Sequence, residues 1–454
     1  MLMAKPTPAA TDQRKTSSVR HTRAIARDRT KRPGTLPPDE QIEQRLTDLV
    51  HPATLAQVAL FQQQGLRQRT LTLPVMMALV LSALWRQIAS VAELARRIQT
   101  ESLLWAAPVK VSSQALTQRL TSLPAGLFAG ALTDLLPQLH QRWAARRRPL
   151  PEAIAWAQAH YVQVVICDGS TLDALVRKLG LLRDRVKAPL AGRMTALLDA
   201  ASRLPLQVWY TDDAQVHDQT FWPQILGAVQ AGALLIYDLG YTNFKHFAEL
   251  TARQITFLTR AKTNLTYQVE RVLEASASVY DAWVWIGQGA DRQLVRLVAV
   301  LYRGLWYRYL TNERDAARLP APLLVALYSQ RWRIEDAFAI IKRLLGLAYF
   351  WAGSVNAVQV QVWATWLLYA VLVDLTDAVA EALAHPFASL SLEMVYRGLY
   401  YFTQAHHRGE ASDVVSYLAA QAQLLGLIKR PRKPPAAAPP EDALDRFMQS
   451  LTCD

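Results

Sequence analysis

Cysteine is scarce: two residues in 454, Cys167 and Cys453. That excludes a disulfide framework and a multi-cysteine zinc site, and it fits a reducing cytoplasm. The chain has no GxxxxGK[ST] loop, no HExxH and no GxSxG. A nucleotide-driven motor, a zinc protease and a serine hydrolase therefore have no motif behind them. The opening MLMAKPTPAATDQRK has no apolar core, so no secretory signal is expected. The longest apolar run, VQVQVWATWLLYAVLV at 358–373, is short for a membrane span and carries Gln359 and Gln361. It reads as a buried core helix, and no membrane association is expected.

Acidic charge is also short. Asp and Glu number 37 against 50 Lys and Arg, a net charge of +13 although only 19% of residues are charged. Such an excess points to a polyanionic partner, or simply to a basic soluble protein. The apolar fraction, 51%, is enough for a sizeable core.

The texture of the chain divides it. Residues 1–40 form a basic arm poor in large apolar side chains, with Arg20, Arg23, Arg27, Arg29, Lys31 and Arg32, and are expected to be disordered. The arm suits DNA phosphates or solubility. Residues 41–155 have helix-length apolar patterning and a basic cluster, Arg142 to Arg148, which suggests a helical DNA-binding domain. From 156 to 375 short β-branched runs alternate with helical segments. YVQVVICD, MTALLDA, LQVWYTDD, ALLIYD and ITFLTRAK are strands, the second and third joined as a hairpin by ASRLP. The order β-β-β-α-β-α-β predicts a mixed α/β sheet. Residues 264–315 predict an inserted β region. One helix is expected from about Pro322 to Leu347, C-terminal helices over 376–428, and a Pro-rich basic tail over 429–454. There is no internal repeat.

Asp168 and Asp238 each close an apolar strand and precede a glycine-containing loop, ICDGS and IYDLGY. Strand C-termini are where open α/β sheets place their ligands, although Asp is also a common turn residue. A third carboxylate, Glu335, stands in YSQRWRIEDAFAIIK. On a continuous helix Tyr328, Arg331, Glu335 and Lys342 would fall within about 60° of arc. The apolar stripe Leu327, Ile334, Phe338, Ile341, Leu345 runs beside them and would anchor the helix. Three carboxylates from separate elements suit two hard cations, magnesium above all. Arg331 offers a planar fork to phosphate, Lys342 adds charge, and Tyr328 could bond a phosphate or stack on a base. The simpler reading is a solvated face with one Arg331–Glu335 pair. Cys167 alternates away from Asp168 into a packed layer. His217 and Asp218 lie near the cleft without making a second metal site, and His406 and His407 read as a surface pair.

The spacing Tyr328, Arg331, Glu335, Lys342 resembles the Y-R-E-K signature of the insertion-sequence-four family of DDE transposases. ICDGSTLDAL, YDLGYTNFKHF, FLTRAK and YLTN resemble it too, over roughly 160–375. The resemblance implies a ribonuclease-H-like core with a β insertion before the Glu335 helix, and Asp168, Asp238 and Glu335 as a metal-binding triad for two Mg²⁺, with Mn²⁺ able to substitute. It implies cut-and-paste transposition: cleavage at transposon ends, then attack of the 3′-hydroxyls on target DNA. It also implies transposon end DNA, target DNA and a second copy of the chain as partners, in a bacterial, nucleoid-associated setting. Tyr328, Arg331 and Lys342 would contact DNA, with Arg260 and Lys262 beside them. Trp306 or Tyr307 is the candidate stacking residue, with Trp283 and Trp285 also in the insertion. Two other readings remain: a nuclease of the same fold that does not join strands, and a non-catalytic DNA-binding derivative.

Overall fold

A computed structural model of the chain describes residues 37–429, apart from 67–68, 89, 173–191, 214–215, 263, 303 and 345–353. Most of the basic arm, nearly all of the Pro-rich tail, Leu345 and Cys453 lie outside the described residues.

The five expected core strands form at β1 (Val164–Thr171), β2 (Arg193–Asp199), β3 (Pro205–Thr211), β4 (Leu234–Tyr237) and β5 (Thr256–Arg260). β1, β2 and β3 are an antiparallel meander, and β1, β4 and β5 run parallel. Helices Trp222–Ala228 and Phe244–Ala252 make the crossovers. The result is a mixed sheet in the order β3-β2-β1-β4-β5, the ribonuclease-H-like arrangement.

The β region after Lys262 forms β6 (Tyr267–Ala275), β7 (Val279–Ile286), β8 (Gln293–Tyr302) and β9 (Leu305–Thr311). These strands do not make a separate sheet. β9 pairs antiparallel with β5, so the full order continues β5-β9-β8-β7-β6 across nine strands. A buried ion pair ties this extension down. Arg296 donates to Asp281 through Nε at 2.8 Å and to the Leu319 carbonyl at 2.7 Å, and so fixes the connection that leads to the helix Ala321–Ser329.

Strand alternation sends the two faces of the sheet to different cores. Val165, Cys167, Leu235 and Tyr237 pack against the crossover helices. Cys167 is fully buried there, as alternation predicted. Val164, Ile166, Leu234 and Ile236 face the other way, into a core that runs from Ile42 to Leu427. At its centre lies Val355–Ala382, the one helix among the described residues long and apolar enough to cross a membrane; 89% of its apolar window is buried inside the protein. The N-terminal helices Glu40–Ala56, Leu73–Trp85 and Gly126–Ala145 pack on it, so their apolar faces share this core.

Three arginines of the basic cluster, Arg142, Arg146 and Arg148, take part in that packing. Asp374, on the long helix and 1% exposed, receives Arg45 at 2.7 Å, Arg142 at 3.0 Å and Arg146 at 2.6 Å. Asp377 receives Arg146 and Arg148. Burial pushes Asp374 up, but Arg45, Arg146 and Arg142 outweigh it and hold the carboxyl below its ordinary range. Asp377 has fewer guanidinium partners, and burial raises it. His406 is likewise more than half of a surface pair, since its Nδ1 lies 3.0 Å from the buried carboxylate of Asp39.

Removing one partner of a buried charge network leaves the others uncompensated, at about 3–5 kcal/mol. Asp374→Ala should therefore lower stability by roughly that amount in chemical denaturation, and by clearly more than Glu93→Ala, which removes the solvent-screened pairs of Glu93 with Arg96 and Arg97.

Candidate active site

Register brings the two aspartates together. β1 and β4 are parallel with Cys167 opposite Tyr237, so the next residues, Asp168 and Asp238, stand side by side. Both share the parity of Ile166 and Ile236 and face the helical core. Asp168 lies inside β1, which continues to Thr171, whereas Asp238 follows the end of β4.

The expected single helix is two. Ala321–Ser329 ends, and Trp332–Arg343 begins after Gln330 and Arg331. The amides of Gln330, Arg331, Arg333 and Ile334 reach back three residues instead of four, a 3₁₀-like joint. Tyr328 thus sits on one helix, Arg331 at the joint, and Glu335 and Lys342 on the next, so no straight 60° stripe exists. Leu327, Ile334, Phe338 and Ile341 are buried as expected.

The joint turns Arg331 inward. Its Nη1 lies 2.9 Å from Asp168 Oδ2 and 2.9 Å from Glu335 Oε1, and its Nε is 3.8 Å from Asp238 Oδ1. One guanidinium, 7% exposed, thereby stands among all three carboxylates. Tyr328 donates to Asp238 at 3.4 Å, and its ring lies 5.1 Å from that of Tyr309 on β9. Lys342 Nζ donates to Ser170 Oγ at 2.6 Å.

Gly169 and Gly240 make room beneath. A Cβ on Gly169 would come 2.9 Å from Asp218 Oδ1, and one on Gly240 would come 2.8 Å from Asp218 Oδ2. Asp218 fills that space and is paired with Arg193. Ser170, Arg193 and Asp218 take part in the site without having been assigned a role from sequence. The glycine after each aspartate was the available signal for a close approach.

Of the other expected residues, Arg260 at the end of β5 is exposed, with its guanidinium 5.6 Å from the Tyr307 ring centroid. Its charge acts on Tyr328, which puts it near the triad. Lys262 is exposed. Trp306 is 46% exposed, but alternation puts it on the opposite face of β9 from Tyr307 and Tyr309. Of the two candidates, Tyr307 is the one on the face that carries Tyr309 and meets Tyr328. Trp283 and Trp285 donate to the Arg314 carbonyl and to Glu270, under Arg271 and Arg292 respectively.

The donor set is oxygen-only, which suits a hard divalent ion. Among the described residues, however, no three His, Cys, Asp or Glu side chains stand together as a metal-holding group. Arg331 occupies the space between the carboxylates, and an ion would have to displace it.

Burial raises the Asp168 carboxyl to about 6, against the pull of Arg331 and the Gly169 amide, while Asp238 and Glu335 add to the rise. Burial works against Arg331's charge too, but Tyr328, Asp238, Asp168 and Glu335 more than offset it. The native state therefore holds the Asp168 proton more tightly than the unfolded chain. Its contribution to stability is full below about pH 4 and is lost as pH rises to about 6. In chelator, Asp168→Asn should be more stable than the parent above pH 6, by up to about 3 kcal/mol, with the gap closing near pH 4. Thermal melts across pH 4–8 measure this.

Residues 190–371 match the transposase DDE domain. That span includes Asp238, Tyr328, Arg331, Glu335 and Lys342, and begins after Asp168. The protein named "Putative transposase y4zB", from Sinorhizobium fredii (strain NBRC 101917 / NGR234), is 30% identical over 191 residues, 40% of this chain. The chain spans about half the length of that curated relative, 52%. DDE transposase domains generally use divalent metal ions, and the three carboxylates here are gathered around Arg331. Together these similarities support a DDE transposase.

Proposed function

We propose that the chain is a transposase of the insertion-sequence-four family, with Tyr328, Arg331, Glu335 and Lys342 as its Y-R-E-K residues. It binds transposon end DNA, cleaves it, and joins the freed 3′-hydroxyls to target DNA, working as a homodimer that pairs two ends. The observation that carries the reading is the meeting of Asp168, Asp238 and Glu335, from three distant segments, at the single guanidinium of Arg331.

Asp168, Asp238 and Glu335 are the residues to hold two Mg²⁺ or Mn²⁺ ions, which would supply Lewis-acid activation of water or a 3′-hydroxyl. Arg331 keeps the carboxylates compensated before the ions arrive. Once released, its planar fork suits a DNA phosphate. Lys342 leaves Ser170 for the same backbone, and Tyr328 holds Asp238 in place while its phenol stays protonated, since burial raises it well above the ordinary range. Arg260 and Lys262 extend the positive rim, and Tyr307, capped by Arg260, is better placed than Trp306 to meet a base.

The direct test incubates the purified chain with Mg²⁺ or Mn²⁺ and a labelled duplex carrying the DNA that flanks its gene. Nicking at a defined end, followed by joining to a plasmid, is expected. Glu335→Gln should lose roughly 100-fold or more of it, since even the outer partners of metal ligands are worth about 10–100-fold. Cleavage without joining would leave a nuclease instead.

A second expectation concerns Arg331. In chelator, Arg331→Gln should melt earlier than the parent, because three carboxylates lose their common cation. Adding Mn²⁺ should then raise its melting temperature by more than it raises the parent's, since no guanidinium has to be displaced. An equal Mn²⁺ response would remove Arg331 from that role.

A further inference from the structure

The turn between β2 and β3 carries an arginine where a hairpin ordinarily shows solvent a small polar residue. Arg203 is 4% exposed and holds the left-handed backbone conformation, φ 60°. Its carbonyl accepts from the Tyr369 hydroxyl on the long helix at 3.1 Å, which draws the turn inward. Among the described residues its guanidinium has no ion-pair or hydrogen-bond acceptor. Its guanidinium carbon lies 4.8 Å from the centroid of the Phe387 ring.

That guanidinium lines a cleft of about 1040 Å³ between the Glu335 helix, the long helix and the C-terminal segment. The cleft's other charges are unevenly matched. Asp336 is 3.6 Å from Arg333, and Glu393 is 2.8 Å from Arg397. Arg333 also lines it beside Arg203, and Asp336 offsets part of that positive charge, but among the described residues Arg203 has no ion pair of its own. Burial, then Arg333, push Arg203 down to about 9, which leaves it charged at neutral pH. A buried cation without acceptors is costly, and an anion with several oxygens would satisfy its fork.

The position of the cleft indicates which anion. One wall is Trp332, Arg333, Asp336 and Ile340, on the same helix as Glu335. Trp332, 48% exposed at that wall, has the Arg331 guanidinium 4.8 Å from its ring. The cleft and the triad therefore adjoin through one pair of consecutive residues. We propose that this cleft is a phosphate-binding subsite, in which Arg203 and Arg333 hold a backbone phosphate of the DNA whose reacting phosphate lies at the triad. The assignment rests on the reading of the chain as a DNA transposase.

The test uses the full chain and Arg203→Met, which keeps an unbranched apolar stem and removes the charged head. Inorganic phosphate, at matched ionic strength against chloride, should raise the melting temperature of the parent and not that of the variant. Binding of a duplex over a salt series should show a log–log slope shallower by about one unit in the variant, as for one lost phosphate contact. Should Arg203→Met fail to fold, Arg333→Gln carries the same two measurements. A phosphate response equal in parent and variant overturns the subsite. So does a parental DNA slope in the variant, which would assign the cleft to a small anion or an acidic peptide. If the parent itself binds no duplex, the transposase reading falls, and with it the DNA assignment, whatever phosphate does.

Discussion

Three carboxylates drawn to one buried guanidinium is the constraint from which the rest of the site follows. Asp168 and Asp238 are fixed by a parallel ladder whose register is set deep in the sheet. Glu335 is fixed by a helix with a buried apolar stripe. Among the described residues Arg331 alone pairs with all three, and to do so the helix must break at residues 330–331. The lost α-helical hydrogen bonds are the cost of turning one side chain inward. Like charges crowded at strand ends would otherwise repel by several kcal/mol at low effective dielectric.

The same logic operates on the far side of the long helix. Asp374 and Asp377 sit in the core because four arginines from the N-terminal helical region compensate them. Charge pairing and apolar burial thus act together on Val355–Ala382, which meets the N-terminal helical region at Asn356 and again at Asp374 and Asp377, and whose Tyr369 reaches the β2–β3 turn. The sheet, the triad and the surrounding helices form one mechanical unit.

Much of this was readable along the chain, and the failures have a common cause. Strands were legible because β-branched runs are local signals, although β1 runs on through Asp168 and Gly169, where a loop was expected. The aspartate pair was legible for the same reason. The break after Ser329 was not, because YSQRWRIEDAF has no Pro or Gly, and its kink is imposed by partners about 90 and 160 residues away. The ion pairs of Arg142, Arg146 and Arg148 were hidden for the same reason: their carboxylates lie about 230 residues further on. Trp306 and Tyr307 are adjacent in sequence, and only strand parity separates their faces. Long-range electrostatics leaves no local periodicity.

The distance between those charges bears on how the protein is made. Residues 142–148 leave the ribosome more than 200 residues before Asp374 and Asp377. Throughout that interval the nascent helices lack their counter-charges, and Leu73–Trp85, buried along nearly its whole length in the finished protein, has no long helix to pack against. Contacts of such sequence separation form late and slowly. The N-terminal region must therefore wait, with its apolar surface open to chaperones, until the long helix is synthesised. A truncated product that stops before residue 374 would carry the basic charge of this region without the core that disciplines it.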